Sequence, residues 1–266
     1  MWESKQRWPF TKRITTENLM PTRRKFIGAA SAVALTAVAR NNPSGVTGYD
    51  YRLPSFKKGA RLLFQGDSIT DMKWGRNQGD RNHYLGHSYV YLIAARLGVD
   101  MPEAELDIYN RGMSGHTVGD LRKRWQKDAI DMKPDLLSIL IGINDVGRSP
   151  NGVDTAAWEA DYRHLLESSR AANPDLRIVL LDPFVLACGR LAEPAAFKKK
   201  RDQVDRLLPI VARLASDFSA VHIKTQDVFD VAATKAPPEQ WIWDGIHPLP
   251  QGHELIARNW LQQVSA

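Results

Sequence analysis

The sequence is almost without cysteine. Its one cysteine, Cys188, excludes a disulfide framework within the chain and any cysteine-rich zinc module. No run of about 20 apolar residues occurs, which excludes a multi-span membrane protein. Neither a Walker A pattern nor Gly-x-Gly-x-x-Gly is found, so no nucleotide cofactor is implied. Internal repeats and low-complexity tracts are missing too. What is there is ordinary for a globular protein. Of 266 residues, 43% are hydrophobic and 25% charged, enough to bury a core and too regular for a disordered, collagenous or coiled-coil chain.

A net charge of +6 could mark an acidic partner such as nucleic acid, or a basic tail. The distribution favours the tail. Residues 1–39 hold seven lysines and arginines against Glu3 and Glu17, so nearly all of the excess sits there. Arg23-Arg24-Lys25-Phe26 precedes the modestly apolar stretch from Ile27 to Ala39, with small residues at Ala37 and Ala39. Charge, apolar stretch and small residues in that order are the layout of a secretory signal, and the arginine pair resembles a twin-arginine export signal. A short basic arm is the competing reading. The stretch is too short for a membrane span, so no stable anchor is expected. The expected organisation is a signal at 1–39, an irregular lead-in at 40–59 rich in proline and glycine, and one domain at 60–266. The expected location is periplasmic or extracellular. With the remainder near neutral, nucleic acid is not an expected partner, and Lys198-Lys199-Lys200-Arg201 reads as a solvated helix face.

From Ala60 on, strand-length apolar runs alternate with helical patterns. The runs are Arg61–Gln65, Leu106–Asn110, Leu136–Ile141, Arg177–Leu181 and Ala220–Ile223; several are apolar on both faces, as buried parallel strands require. Helices are expected at Ser88–Leu97, stopped by Gly98, and at Thr117–Ile130, Thr155–Ala171, Ala195–Ser216 and Pro250–Val264. This alternation predicts an α/β fold, a three-layer α/β/α sandwich on a five-stranded, mainly parallel sheet. In such folds ligands bind at the carboxyl ends of the strands.

Chemistry-bearing residues cluster at those ends. Gly66-Asp67-Ser68 follows the first strand, Gly112-Met113-Ser114-Gly115 the second and Gly142-Ile143-Asn144-Asp145 the third. A serine after a buried strand can present its hydroxyl, glycines open backbone N–H groups, and asparagine offers an amide; together these can hold an oxyanion. Asp244 and His247, three apart in the loop before the last helix, can form the pair that orients an imidazole as a base. Taken singly, each block also reads as a turn or a cap.

In order and spacing, these blocks resemble the SGNH hydrolase (GDSL esterase) superfamily, from about Leu62 to Ala257; Ile69 stands where the name-giving motif has leucine. The resemblance implies a flavodoxin-like fold and the triad Ser68, His247 and Asp244. It also implies an oxyanion hole from the N–H groups of Ser68 and Gly115 and the side chain of Asn144, with Gly112 a rival for the glycine. No metal or cofactor is implied. His83 and His87, with Asp80 nearby, could in principle bind a metal, but they lack a third ligand. The segments Gly66–Asp71, Asn110–Val118 and Ile141–Val146, with Trp243-Asp244, are similar to the carbohydrate and xylan acetylesterase branch. That similarity implies O-acetyl esters of plant-type polysaccharides as substrates. A broad esterase, lysophospholipase or thioesterase is the alternative. Trp74, Trp158, Trp241 and Trp243 could face sugar rings or pack in the core.

Overall fold

A computed structural model of the chain describes residues 51–148 and 152–265. The expected signal at 1–39 and the first part of the lead-in lie outside the described residues. Five strands, β1 (Arg61–Gly66), β2 (Asp107–Gly112), β3 (Leu136–Leu140), β4 (Arg177–Leu181) and β5 (Val221–Ile223), form one sheet. Every pairing is parallel and the order is β2-β1-β3-β4-β5. All five fall on the expected apolar runs.

Among the described residues eight α-helices flank the sheet: α1 (Ser68–Asp71), α2 (Tyr89–Asp100), α3 (Val118–Trp125), α4 (Ile143–Arg148), α5 (Thr155–Ala172), α6 (Pro194–Asp217), α7 (Thr225–Ala233) and α8 (Pro250–Val264). Side-chain caps start several of them, as the sequence leads one to expect. Ser88 accepts from Val90 N–H, Asp154 from Ala156 and Ala157 N–H, and Thr117 with Asp120 closes a reciprocal capping box. Two expectations need correction. α2 runs through Gly98 to Asp100; Gly98 faces open space, and burial of Leu97 outweighs the roughly 1 kcal/mol propensity cost of one glycine. The helix expected over Thr117–Ile130 widens into a π-turn at Gln126–Ile130, where the buried Gln65 side chain takes the Asp128 carbonyl as acceptor.

The three layers follow from strand alternation. On β1, Phe64 packs against Tyr89 of α2 and Trp260 of α8. Its neighbour Gln65 turns to the opposite face, toward the π-turn after α3. Trp125 of α3 in turn donates its indole N–H to the Leu165 carbonyl and Ser169 hydroxyl of α5. All five residues of the central strand β3 are buried, whereas β2, at the sheet edge, alternates. The chain leaves β1 to one side for β2 and returns past it for β3. The crevice at that reversal, over the carboxyl ends of β1, β2 and β3, is where this topology leaves room for a ligand.

Candidate active site

The chain turns sharply after β1. A Cβ on Gly66 would sit 2.5 Å from the Leu140 carbonyl oxygen and crowd Thr70, so only glycine lets β1 and β3 stay paired here. Asp67 caps α1 by accepting from Ile69 N–H at 3.0 Å, which places Ser68 as the first helical residue, partly exposed at the crevice. Asp67 itself is buried. Burial raises its carboxyl to about 7, against the Ile69 hydrogen bond and with the help of nearby Asp145 and Asp71.

The loop between α7 and α8 supplies the partner. It is pinned by a bridge between Ile242 and Pro248, by Leu186 N–H on the Gly245 carbonyl, and by the buried Cys188 thiol on the Ile242 carbonyl. His247 Nε2 lies 2.8 Å from Ser68 Oγ, and His247 Nδ1 lies 2.8 Å from Asp244 Oδ2. Asp244 Oδ1 accepts from the N–H groups of Ile246 (3.0 Å) and His247 (2.7 Å). Arg190 adds a bond at 2.6 Å to Oδ2. Burial pushes the Asp244 carboxyl up, but the His247 and Ile246 hydrogen bonds prevail and hold it below the ordinary range. A hydroxyl, an imidazole and a carboxylate in this chain can pass a proton off the hydroxyl and stabilise the resulting imidazolium.

Gly115 and Asn144 line the same cleft as Ser68 and His247, a space of about 420 Å³. Gly115 has φ +81°, a left-handed conformation that favours glycine. The Asn144 amide donates one N–H to the His116 carbonyl at 2.9 Å, leaving the second N–H outside that bond. Asn144 stands on the first turn of α4 and not in a simple turn. The rival Gly112 is buried, with its N–H committed to Asn110 Oδ1 at 2.9 Å, and does not line the cleft.

Several supporting residues escape a reading that looks only for reactive groups. Asp71 takes the N–H (2.9 Å) and hydroxyl (2.7 Å) of Ser114 and the Arg76 guanidinium (2.7 Å). Asn110 donates to the Thr70 and Leu85 carbonyls. Both stand inside the quoted blocks, as polar residues beside apolar strands, and that was their only signal. Arg190 and Lys200, which also line the cleft, carried none.

The remaining candidates separate. His83 pairs with Asp80 at 2.9 Å in an exposed turn, not on a helix, and among the described residues no three ligating groups are placed to hold a metal. His253 is buried under Tyr89, its Nδ1 accepting from Tyr89 N–H; burial drives its imidazole down to about 3. Trp74 and Trp158 are core residues, while Trp243, next to Asp244, is 62% exposed. No helix among the described residues is long and apolar enough to cross a membrane.

Known proteins are similar to this chain in sequence and fold. An acetylxylan esterase of Geobacillus stearothermophilus is 34% identical over 77% of this chain and 94% of its own. A solved structure from Parabacteroides merdae that carries the name of a GDSL-like lipase superposes with a TM-score of 0.74, at 34% identity over 80% of this chain and 98% of its own. A catalytic mutant of the Geobacillus esterase gives 0.70, at 32% identity over 79% and 96%. Its catalytic mutants replace a serine, an aspartate or a histidine by alanine, and those three residues are spaced along that chain as Ser68, Asp244 and His247 are along this one. The model of the GDSL-like lipase/acylhydrolase family matches residues 64–255. This chain therefore belongs to that family and is a carboxylic ester hydrolase.

Proposed function

We propose that the protein is a secreted serine esterase that removes O-acetyl groups from plant-type polysaccharides or oligosaccharides such as xylan. The observation that carries this reading is the unbroken hydrogen-bond chain Ser68–His247–Asp244 at a cleft also lined by Gly115 and Asn144. Ser68 Oγ attacks the acetyl carbonyl while His247 Nε2 takes its proton. Asp244 holds the ring and stabilises the imidazolium. The developing oxyanion accepts from the Ser68 and Gly115 N–H groups and the Asn144 amide. His247 then protonates the departing sugar oxygen, leaving an acetyl ester on Ser68, and a water activated by the same histidine releases acetate. The acetylxylan esterase among its relatives supports the acetyl group and the carbohydrate. So does the sequence, which has no long apolar insertion to shelter a lipid chain. Trp243 offers an exposed ring beside the site.

The test is acetate release from acetylated xylan, mannan and pectin side by side, with p-nitrophenyl esters of increasing acyl length. Acetyl esters are expected to be the best substrates, and Ser68→Ala to be inactive. A peak at octanoyl or longer esters would sink the acetyl reading in favour of a broad esterase or lysophospholipase. Hydrolysis surviving in Ser68→Ala would remove the acyl-enzyme. Export rests on the arginine pair: with Arg23 and Arg24 both replaced by lysine, the protein should stay in the cytoplasm, and unchanged export would refute a twin-arginine route.

A further inference from the structure

The basic run at the start of α6 is not a uniform solvated face. Lys198 meets Asp202 at 2.7 Å, and Arg201 meets Asp205 at 2.6 Å and Asp230 at 3.0 Å. Lys199 is exposed. Lys200 turns the other way and lines the catalytic cleft with Ser68, Asn144 and His247. Among the described residues its ammonium donates one hydrogen bond, to the Ile143 carbonyl at 3.4 Å, and forms no ion pair with a carboxylate. Gly147 makes room for it: a Cβ there would stand 3.0 Å from Lys200 Nζ.

Arg190 lines the same cleft. It spends one nitrogen on Asp244 and is 57% exposed. Among the described residues no aspartate or glutamate lines this space. A half-buried ammonium short of acceptors is costly, and with Arg190 already paired to Asp244, Lys200 is left as the cation of this cleft without a carboxylate beside it. Burial and the neighbouring Arg190 both push the Lys200 ammonium below its ordinary range, the response of a cation that lacks an anion.

We propose that the cleft recognises a carboxylate carried by the substrate close to the scissile ester, with Lys200 as its principal partner and Arg190 as a second cation. The inference rests on the acetylesterase reading. An acetyl group has no carboxylate of its own, so the anion sits on the sugar. The substrate class becomes acetylated oligosaccharides that contain uronic acid residues. A dicarboxylic acyl group would present the same chemistry from the other side of the ester.

The test compares kcat/KM on an acetylated galacturonate oligosaccharide with that on an acetylated xylo-oligosaccharide, and on p-nitrophenyl hemisuccinate with that on p-nitrophenyl acetate. The parent enzyme is expected to favour the uronate by about tenfold or more, the usual worth of one hydrogen bond to a charged group. Lys200→Met should erase that preference through KM, Lys200→Arg should keep part of it, and added salt should weaken it. Equal kcat/KM on the acidic and neutral sugars, or a preference that survives Lys200→Met, overturns the proposal. A preference for the hemisuccinate alone overturns it as well. Absence of acetate release from both sugars overturns instead the acetylesterase reading on which it stands.

Discussion

Asp71 grips Ser114 twice, accepting from its backbone N–H at 2.9 Å and from its hydroxyl at 2.7 Å. The last residue of α1 thereby holds the residue just before Gly115, so the turn that carries Ser68 and the loop that carries Gly115 are tied together by one carboxylate. Burial raises the Asp71 carboxyl, but hydrogen bonds from Arg76 and Ser114 outweigh it and keep the group charged. Asp71→Asn should lower kcat about 10- to 100-fold by displacing the Gly115 N–H, with little change in KM. Burst titration of active sites separates this from simple unfolding. Full turnover per active site in the variant would remove Asp71 from the positioning of the oxyanion loop.

Asn144→Ala should cost about 10²–10³ in kcat, the usual penalty for one oxyanion donor. KM should change little, because the amide bonds the transition state more than the ester. The parent rate on p-nitrophenyl acetate would show that Asn144 only ties α4 to the His116 carbonyl.

Asp244 has four donors on its two oxygens, and they are not equivalent. Asp244→Asn should lose about 10⁴ in kcat, because an amide cannot hold the imidazole in the same tautomer. Arg190→Ala leaves both backbone donors and His247 in place and should lose less than about tenfold, since a half-exposed ion pair contributes little. Equal losses in the two variants would mean that the guanidinium, not the carboxylate, organises the pair.

Asp67 and His253 give the stability opposite dependences on pH. With the Asp67 carboxyl raised to about 7, the unfolded chain releases this proton above its ordinary value while the folded chain keeps it. Stability therefore falls as pH rises across that window, by at most about 1.4 kcal/mol per pH unit. Asp67→Asn should flatten this fall in denaturant titrations between pH 5 and 7; an unaltered slope would exclude Asp67 as its source. His253, held neutral down to about 3, works the other way: below its ordinary value only the unfolded chain takes up the proton, and stability falls as pH drops. Its ring resonances should show no protonation at pH 5.

The strands were legible because buried parallel strands must be apolar on both faces, and the runs around Leu63, Ile139 and Leu180 have no other use. The site residues were legible because a chemical pattern confines them to strand ends and one loop. α1 and α4 were not, since four and six residues carry no apolar period to read. α7, nine residues long, is too short to show such a period clearly. Lys200 and its neighbours show a different limit. Four adjacent cations look alike in sequence, and only the angular position of each on α6 separates the ones paired outward from the one facing the cleft.

Ser68 follows the first strand, while His247 stands 179 residues further along, just before the last helix. This hydrogen-bonded pair thus joins nearly the two ends of the fold. A chain still being synthesised, or one clipped ahead of the loop that carries His247, holds Ser68 without its imidazole partner. It also lacks Trp260, the ring that α8 lays against Phe64 on the first strand. Hydrolysis is thereby a property of the finished molecule.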